Sequence, residues 1–237
     1  MKDVLYIVMP AYNEGENILE TLDAWYPVIK KHSAGGKSRL IIVDDGSKDD
    51  TYKIMKEYAK KHPLFVPLTK KNGGHGPAVL FAYNYAIRKK AEWIFQTDSD
   101  GQTNPAEFEG FWKDRKKYDA IFGHRNERGD GKQRAFVEKV VCRLVKHYFG
   151  VKVPDANAPF RLMKAELLSK YVKKLDPNYN LPNIMITTYF VYYKNKVKFQ
   201  KITFKPRGKG VNSINVKKIV KIGRDSLKDF RKLKKEL

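Results

Sequence analysis

Cysteine is nearly absent from this chain. Its 237 residues include one, Cys142, which excludes an intramolecular disulfide and suits a reducing compartment. Long apolar runs are missing too. None reaches the ~18 residues of a spanning helix, and the longest candidate, Ile184 to Tyr193, carries Thr and Tyr and reads as a core helix or strand. The N-terminus enters a strand pattern directly, so no signal peptide is expected. No Gly-x-x-x-x-Gly-Lys-Ser/Thr segment occurs, which leaves a P-loop unsupported. Internal repeats, low-complexity tracts and an obvious interdomain linker are lacking, and a chain of this length can bury a sizeable core as one domain. Acidic residues are scarce: 26 Asp and Glu stand against 48 Lys and Arg, for a formal net charge of +22. That excess favours a polyanion, either nucleic acid or an anionic membrane surface. Nothing in the chain supplies a base-reading module, so charge alone carries the nucleic-acid reading.

What is present is a series of short apolar runs that end in polar or glycine-rich residues. Val4 to Met9 runs into Pro10-Ala11-Tyr12-Asn13-Glu14, and Leu40 to Val43 into Asp44-Asp45-Gly46-Ser47. Leu64 to Leu68 leads to Asn72-Gly73-Gly74-His75-Gly76, and Trp93-Ile94-Phe95 into Gln96-Thr97-Asp98-Ser99-Asp100-Gly101-Gln102. Helical patterns separate them. Strands alternating with helices predict a parallel, doubly wound sheet, with its polar strand ends gathered along one edge. Two carboxylates at i and i+2 beyond a buried strand can converge on a hard divalent cation. Mg²⁺ takes one or two carboxylates plus substrate phosphates. Asp45, ending its strand, is placed to accept hydrogen bonds from a base or ribose. Gly73, Gly74 and Gly76 allow close backbone approach or positive φ.

Taken in order and spacing, Pro10 to Glu14, Val43 to Asp49, Asn72 to Gly76 and Asp98-Ser99-Asp100 resemble the motifs of the family 2 glycosyltransferases. The resemblance covers residues 4 to 102. It implies the GT-A fold: a Rossmann-like, mostly parallel central sheet flanked by helices. It also implies a UDP- or GDP-sugar donor, Mg²⁺ or Mn²⁺, and inversion at the anomeric carbon. The nucleotide-sugar site implied comprises Pro10, Ala11, Tyr12, Glu14, Asp44, Asp45, Gly74, Asp98 and Ser99. The implied metal residues are Asp98 and Asp100, with Gln102, two positions further on, as a possible further ligand. Asp100 is also counted among the catalytic residues.

The second half resembles the dolichyl- and polyprenyl-phosphate glycosyltransferases within that family. The matching segments are a strand-end Arg125, then Asp155 ahead of Phe160-Arg161, then Arg207-Gly208-Lys209-Gly210-Val211-Asn212-Ser213. Ala158-Pro159 stands where that subgroup often has Ser-Gly. Two common family features are missing: a Glu-Asp pair that supplies a base, and a Gln-x-x-Arg-Trp motif. A sugar hydroxyl needs a base during attack, whereas a lipid monophosphate is already ionised and needs cations to position it. Arg125, Arg161 and Arg207 suit that task because guanidinium binds phosphate bidentately. Asp155 is assigned a structural role, orienting Arg161, with base catalysis on a hydroxyl acceptor as its other reading.

The expected organisation is a catalytic domain over 1–215, with a donor half (1–102) and an acceptor half (103–215), followed by a basic amphipathic helix over 216–237. That last stretch carries nine Lys or Arg against three Asp or Glu, with Val216, Ile219, Val220, Leu227, Phe230, Leu233 and Leu237 at helical spacing. Its apolar stripe serves equally to lie on an anionic membrane, to dock on a membrane-protein partner or to pack on the domain. The expected location is the cytoplasmic face of a membrane. The acceptor is a lipid phosphate or, as the second reading, a glycan hydroxyl.

Overall fold

The computed structural model describes residues 3–125, 132–206, 227 and 229–235, with the backbone alone at 132–135. The expectations placed on Arg207 to Ser213 and on Val216, Ile219, Val220 and Leu237 fall outside the described residues.

Seven strands form one sheet. They are β1 (Leu5–Ala11), β2 (Arg39–Asp44), β3 (Phe65–Thr69), β4 (Trp93–Gln96), β5 (Ala120–Arg125), β6 (Arg161–Lys164) and β7 (Val197–Ile202). Their order across the sheet is β3-β2-β1-β4-β6-β5-β7. The first four pair in parallel. β6 runs antiparallel between β4 and β5, and β7 is parallel to β5. Pro67 cannot donate to a ladder and sits in β3, at the sheet's edge, where that loss is tolerated.

Both faces are covered, which is why the central strands read as unbroken apolar runs. The period of two divides each strand between two cores. Tyr6, Val8, Ile41, Val43, Ile94 and Phe122 face α3 (His75–Arg88), α5 (Lys132–Phe149), α6 (Ala165–Val172) and α7 (Pro182–Tyr192). Leu5, Ile7, Met9, Leu40, Ile42 and Phe95 face α1 (Ile18–Lys31), α2 (Thr51–Ala59) and α4 (Phe108–Asp114). The segment Ile184 to Tyr193 is helical up to Tyr192, and nearly all of α7 is buried. It tolerates threonine because Thr187 and Thr188 donate their hydroxyls to the carbonyls of Asn183 and Ile184, one turn back.

Residues 229–235 are helical. Phe230 and Leu233 are buried in the α3–α7 core, where the Phe230 ring lies 5.5 Å from that of Phe149. Of the apolar stripe expected at this end of the chain, Phe230 and Leu233 thus pack on the domain. No helix among the described residues is long and apolar enough to cross a membrane.

The chain lays β1, β2 and β3 outward in one direction and then returns to place β4 on the other side of β1. Ligands of such sheets bind beyond the carboxyl ends of the strands where the order reverses. Here that point lies past Ala11 and Gln96, and Asp98 follows immediately.

Candidate active site

Three loops meet at this edge, and backbone hydrogen bonds fix their relation. Past β1, Asn13 adopts a left-handed conformation (φ 54°), which short polar side chains accept. Its amide donates to Ser47 Oγ, and its carboxamide oxygen accepts from the Lys48 amide. Glu14 is buried. Its amide donates to Thr51 Oγ1 and its carboxylate accepts from Asn17. Tyr12 is exposed at the rim. Pro10 and Ala11 are the last residues of β1, and Pro10 offers its carbonyl to Ser99 Oγ at 2.8 Å. Ser99 is thus a brace: its own carbonyl accepts from Thr21 Oγ1, tying the acidic loop to β1 and α1.

Past β2, the two carboxylates do different work. Asp44 closes a turn, accepting from the Ser47 amide and from Thr69 Oγ1. Asp45 is 2% exposed and accepts from Lys70 Nζ at 2.6 Å and from the amides of Gly73 and Gly74. Asn72 adds a bond to the Asp45 carbonyl. Lys70 was not picked out by the sequence, although a lysine three residues before a Gly-Gly pair offered a signal. Gly74 has φ +96°, and a side chain at Gly76 would collide with the carbonyls of Tyr179 and Asn180, at 2.4 and 2.5 Å. Both glycines are therefore required by the backbone.

Past β4, Asp98 is partly open to solvent, and its Oδ1 lies 3.2 Å from His75 Nε2. The imidazole is half-exposed; desolvation opposes its charge, but the Asp98 carboxylate outweighs this, with Asp100 adding, and the His75 pKa is raised. Asp100 Oδ1 accepts from the Gln102 amide. Gln102 is buried, and its side-chain nitrogen donates to the Lys205 carbonyl. It ties the acidic loop to the segment after β7. Among the described residues no group of three or more His, Cys, Asp or Glu forms a ready-made cage. Two hard carboxylates beside solvent fit Mg²⁺ or Mn²⁺, whose remaining ligands come from substrate phosphates and water.

The acceptor half is arranged differently from the expectation. Arg125, at the end of β5, donates through Nε and Nη2 to the two oxygens of Asp155, at 2.8 and 2.9 Å, and approaches Glu138 at 3.4 Å. Burial raises the Asp155 pKa, but hydrogen bonds and charge from Arg125 overcome that and leave it lowered. Asp155 therefore orients Arg125, which corrects its assignment to Arg161. Arg161 opens β6 between Gln96 and Phe122. It is 0% exposed, and its donors go to the carbonyls of Ala156, Ala158 and Asn183. Its guanidinium lies 5.1 Å from the Phe122 ring centroid, and burial lowers its pKa. The structure thus does not bring Arg125 and Arg161 to one open surface: Arg161 braces the loop behind Arg125 from inside.

Comparison with known proteins places the family and the fold. A family model described as "Glycosyl transferase family 2" matches residues 6–172. A dolichyl-phosphate beta-glucosyltransferase of Trichomonas vaginalis is 36% identical over 118 residues, 48% of this chain and 34% of that protein. An undecaprenyl-phosphate 4-deoxy-4-formamido-L-arabinose transferase of Shewanella sediminis is 26% identical over 170 residues, 70% of this chain and 50% of that one. The chain thus spans a third to a half of these two relatives. The fold matches glucosyl-3-phosphoglycerate synthase from Mycobacterium tuberculosis, solved with Mn²⁺ and uridine-diphosphate-glucose, with a TM-score of 0.67 at 16% identity, covering 95% of this chain and 77% of that one.

Proposed function

Because the chain belongs to glycosyltransferase family 2, we propose that it is an inverting, metal-dependent enzyme that moves a sugar from a UDP- or GDP-sugar to a polyprenyl phosphate at a membrane surface. Asp98 and Asp100 would hold Mg²⁺ or Mn²⁺, which when bound neutralises charge on the departing diphosphate. Pro10, Ala11, Tyr12 and Glu14 would line the base and ribose pocket. Asp45 would shape that pocket, through the Gly73-Gly74 loop, as well as face it.

The observation that carries the acceptor is the state of Asp155. A carboxylate 2% exposed, gripped by both arms of Arg125 and held in its ionised form, is a poor base for a sugar hydroxyl. An acceptor that arrives ionised needs no base. Arg125, buttressed by Asp155 and Glu138, and Arg207 are the cations proposed to receive it, with Arg161 supporting from within. The membrane assignment rests on the acceptor's chemistry and on the chain's +22 charge.

The test is a donor screen with Mn²⁺ or Mg²⁺, reading nucleoside diphosphate release with and without undecaprenyl or dolichyl phosphate in anionic vesicles. Turnover that depends on the lipid phosphate is expected. Efficient transfer to a soluble sugar, eliminated by Asp155→Asn, would overturn the lipid reading and make Asp155 the base.

A further inference from the structure

His75, on α3, reaches the carboxylate of Asp98 in the acidic loop after β4. We propose that His75 is a positioning residue: it fixes Asp98 so that one oxygen, Oδ2, is presented to the metal. This inference rests on the proposed metal site.

The backbone aims the imidazole. On its N-terminal side, the Gly73 and Gly74 amides are pinned to the buried Asp45 carboxylate, and Gly74 takes φ +96°. On its C-terminal side, Gly76 is pressed against the Tyr179 and Asn180 carbonyls. His75 is the first residue of α3, between two points that cannot shift. Its Nε2 lies 3.2 Å from Asp98 Oδ1, and the Gln96 carboxamide approaches the same oxygen at 3.5 Å. Gln96 is itself fixed, since its carboxamide oxygen accepts from Tyr83 Oη at 3.1 Å, and both residues are fully buried. Tyr83 stands eight residues, just over two turns, beyond His75 on the same face of α3. One helix therefore supports Asp98 twice, directly through His75 and indirectly through Tyr83 and Gln96. Among the described residues Oδ2 of Asp98 takes no hydrogen bond. Two supports on one oxygen leave the other as the point of attachment, the arrangement that groups behind metal ligands commonly enforce. The same contacts couple the strand ends: Asp45 holds the loop that holds His75, and His75 holds Asp98.

The test uses the full chain and electron paramagnetic resonance of Mn²⁺, titrated with UDP present and, separately, with GDP. His75→Leu keeps bulk without a donor, and His75→Gln restores a side-chain N–H at similar reach. The Leu variant is expected to bind Mn²⁺ about 10- to 100-fold more weakly, in the range seen when a support behind a ligand is lost, and the Gln variant to recover most of that loss. A fall in kcat/KM at limiting Mn²⁺ that saturating Mn²⁺ relieves should accompany it. Asp100→Ala separates the two levels of the claim. If Asp100→Ala loses Mn²⁺ while His75→Leu binds it as the unaltered chain does, the role of His75 is wrong and the metal site stands. If Asp100→Ala also binds Mn²⁺ normally, the metal site fails and His75 has nothing to position. A Gln variant no better than Leu also overturns the proposal, because a hydrogen bond is then not what His75 supplies.

Discussion

Asp45 and Asp155 are both buried carboxylates beside the same edge of the sheet, yet they are satisfied by different means. Asp45 is held by two backbone amides and a lysine, Asp155 chiefly by the planar fork of Arg125. The contrast extends to their surroundings. At the donor end, Asp44, Asp45, Asp98 and Asp100 gather around Lys70 and His75. At the acceptor end, Arg125 and Arg161 stand with Asp155 and Glu138. A chain of net charge +22 thus reverses its sign locally at the donor edge. Asp98 and Asp100, partly open to solvent, repel an anion unless a cation lies between, whereas the charge of Arg125 is balanced by Asp155 and Glu138.

The largest effect expected is at the donor end. Asp100→Ala should lower metal-dependent donor turnover by about 10²- to 10³-fold, the scale of losing one preorganised electrostatic contact, while circular dichroism shows the fold retained. Full turnover by that variant in the presence of chelator would erase the distinction between the two ends.

Arg161→Met probes the acceptor end from inside. It leaves the Ala158 carbonyl without its donor and the Ala156 and Asn183 carbonyls with only Thr187 Oγ1 among side chains, and should lower unfolding free energy by about 3 kcal/mol, read from urea midpoints at constant m-value. Arg161→Lys should recover little, because a point charge cannot serve three carbonyls in a plane. Native-like stability of the Met variant would show that these carbonyls find other partners.

Asp155→Asn should cost about 2 kcal/mol at neutral pH through the weakened pair with Arg125. The pH dependence follows from sign. The folded pKa of Asp155 lies below its unfolded value, so the stabilisation is complete above the ordinary Asp value of about 3.9 and disappears as pH falls through the lower folded value. The unaltered chain should lose stability over that acid range, and the Asn variant should lose less. Parallel acid-denaturation curves would count against the pair. Ser99→Ala, the mildest change, removes the bond to the Pro10 carbonyl and should cost about 1 kcal/mol in thermal or urea unfolding. A loss as large as that of Arg161→Met would mean that the donor end also depends on its side chains for stability.

The donor half was legible because its information is local. Apolar runs mark β1 to β4, and the residues just beyond each strand are those that meet at the edge. Even there, α3 begins at His75, inside the Asn72 to Gly76 segment, because Gly74, Gly76 and Pro77 read as loop. The acceptor half was less legible because pairing, not residue type, decides it. Arg125 and Asp155 are 30 residues apart, and no spacing rule says which arginine the carboxylate chooses. Arg161 reads as an anion ligand by its charge, and becomes a brace because it opens a strand in mid-sheet. β6 is four residues long, and in β7 the adjacent Gln200 and Lys201 break the alternation begun by Lys198, so neither stands out from its surroundings.

The reversed direction of β6 also sets an order of assembly. β1 meets β2 across 33 residues, as in Tyr6 with Arg39, whereas β4 meets β1 across 88, as in Leu5 with Trp93, and β6 across 65 to 71, as in Gln96 with Arg161 and Trp93 with Lys164. Closing the longer loops costs more chain entropy, and contacts of that span slow the search. During synthesis the first four strands can leave the ribosome and pair while the acceptor edge is still unmade. Until β6 arrives, one side of β4 presents open amides and carbonyls to any passing strand. The interval between those two events is when this chain is most exposed to aggregation, and pulsed hydrogen exchange should find β1 and β2 protected before β5 and β6.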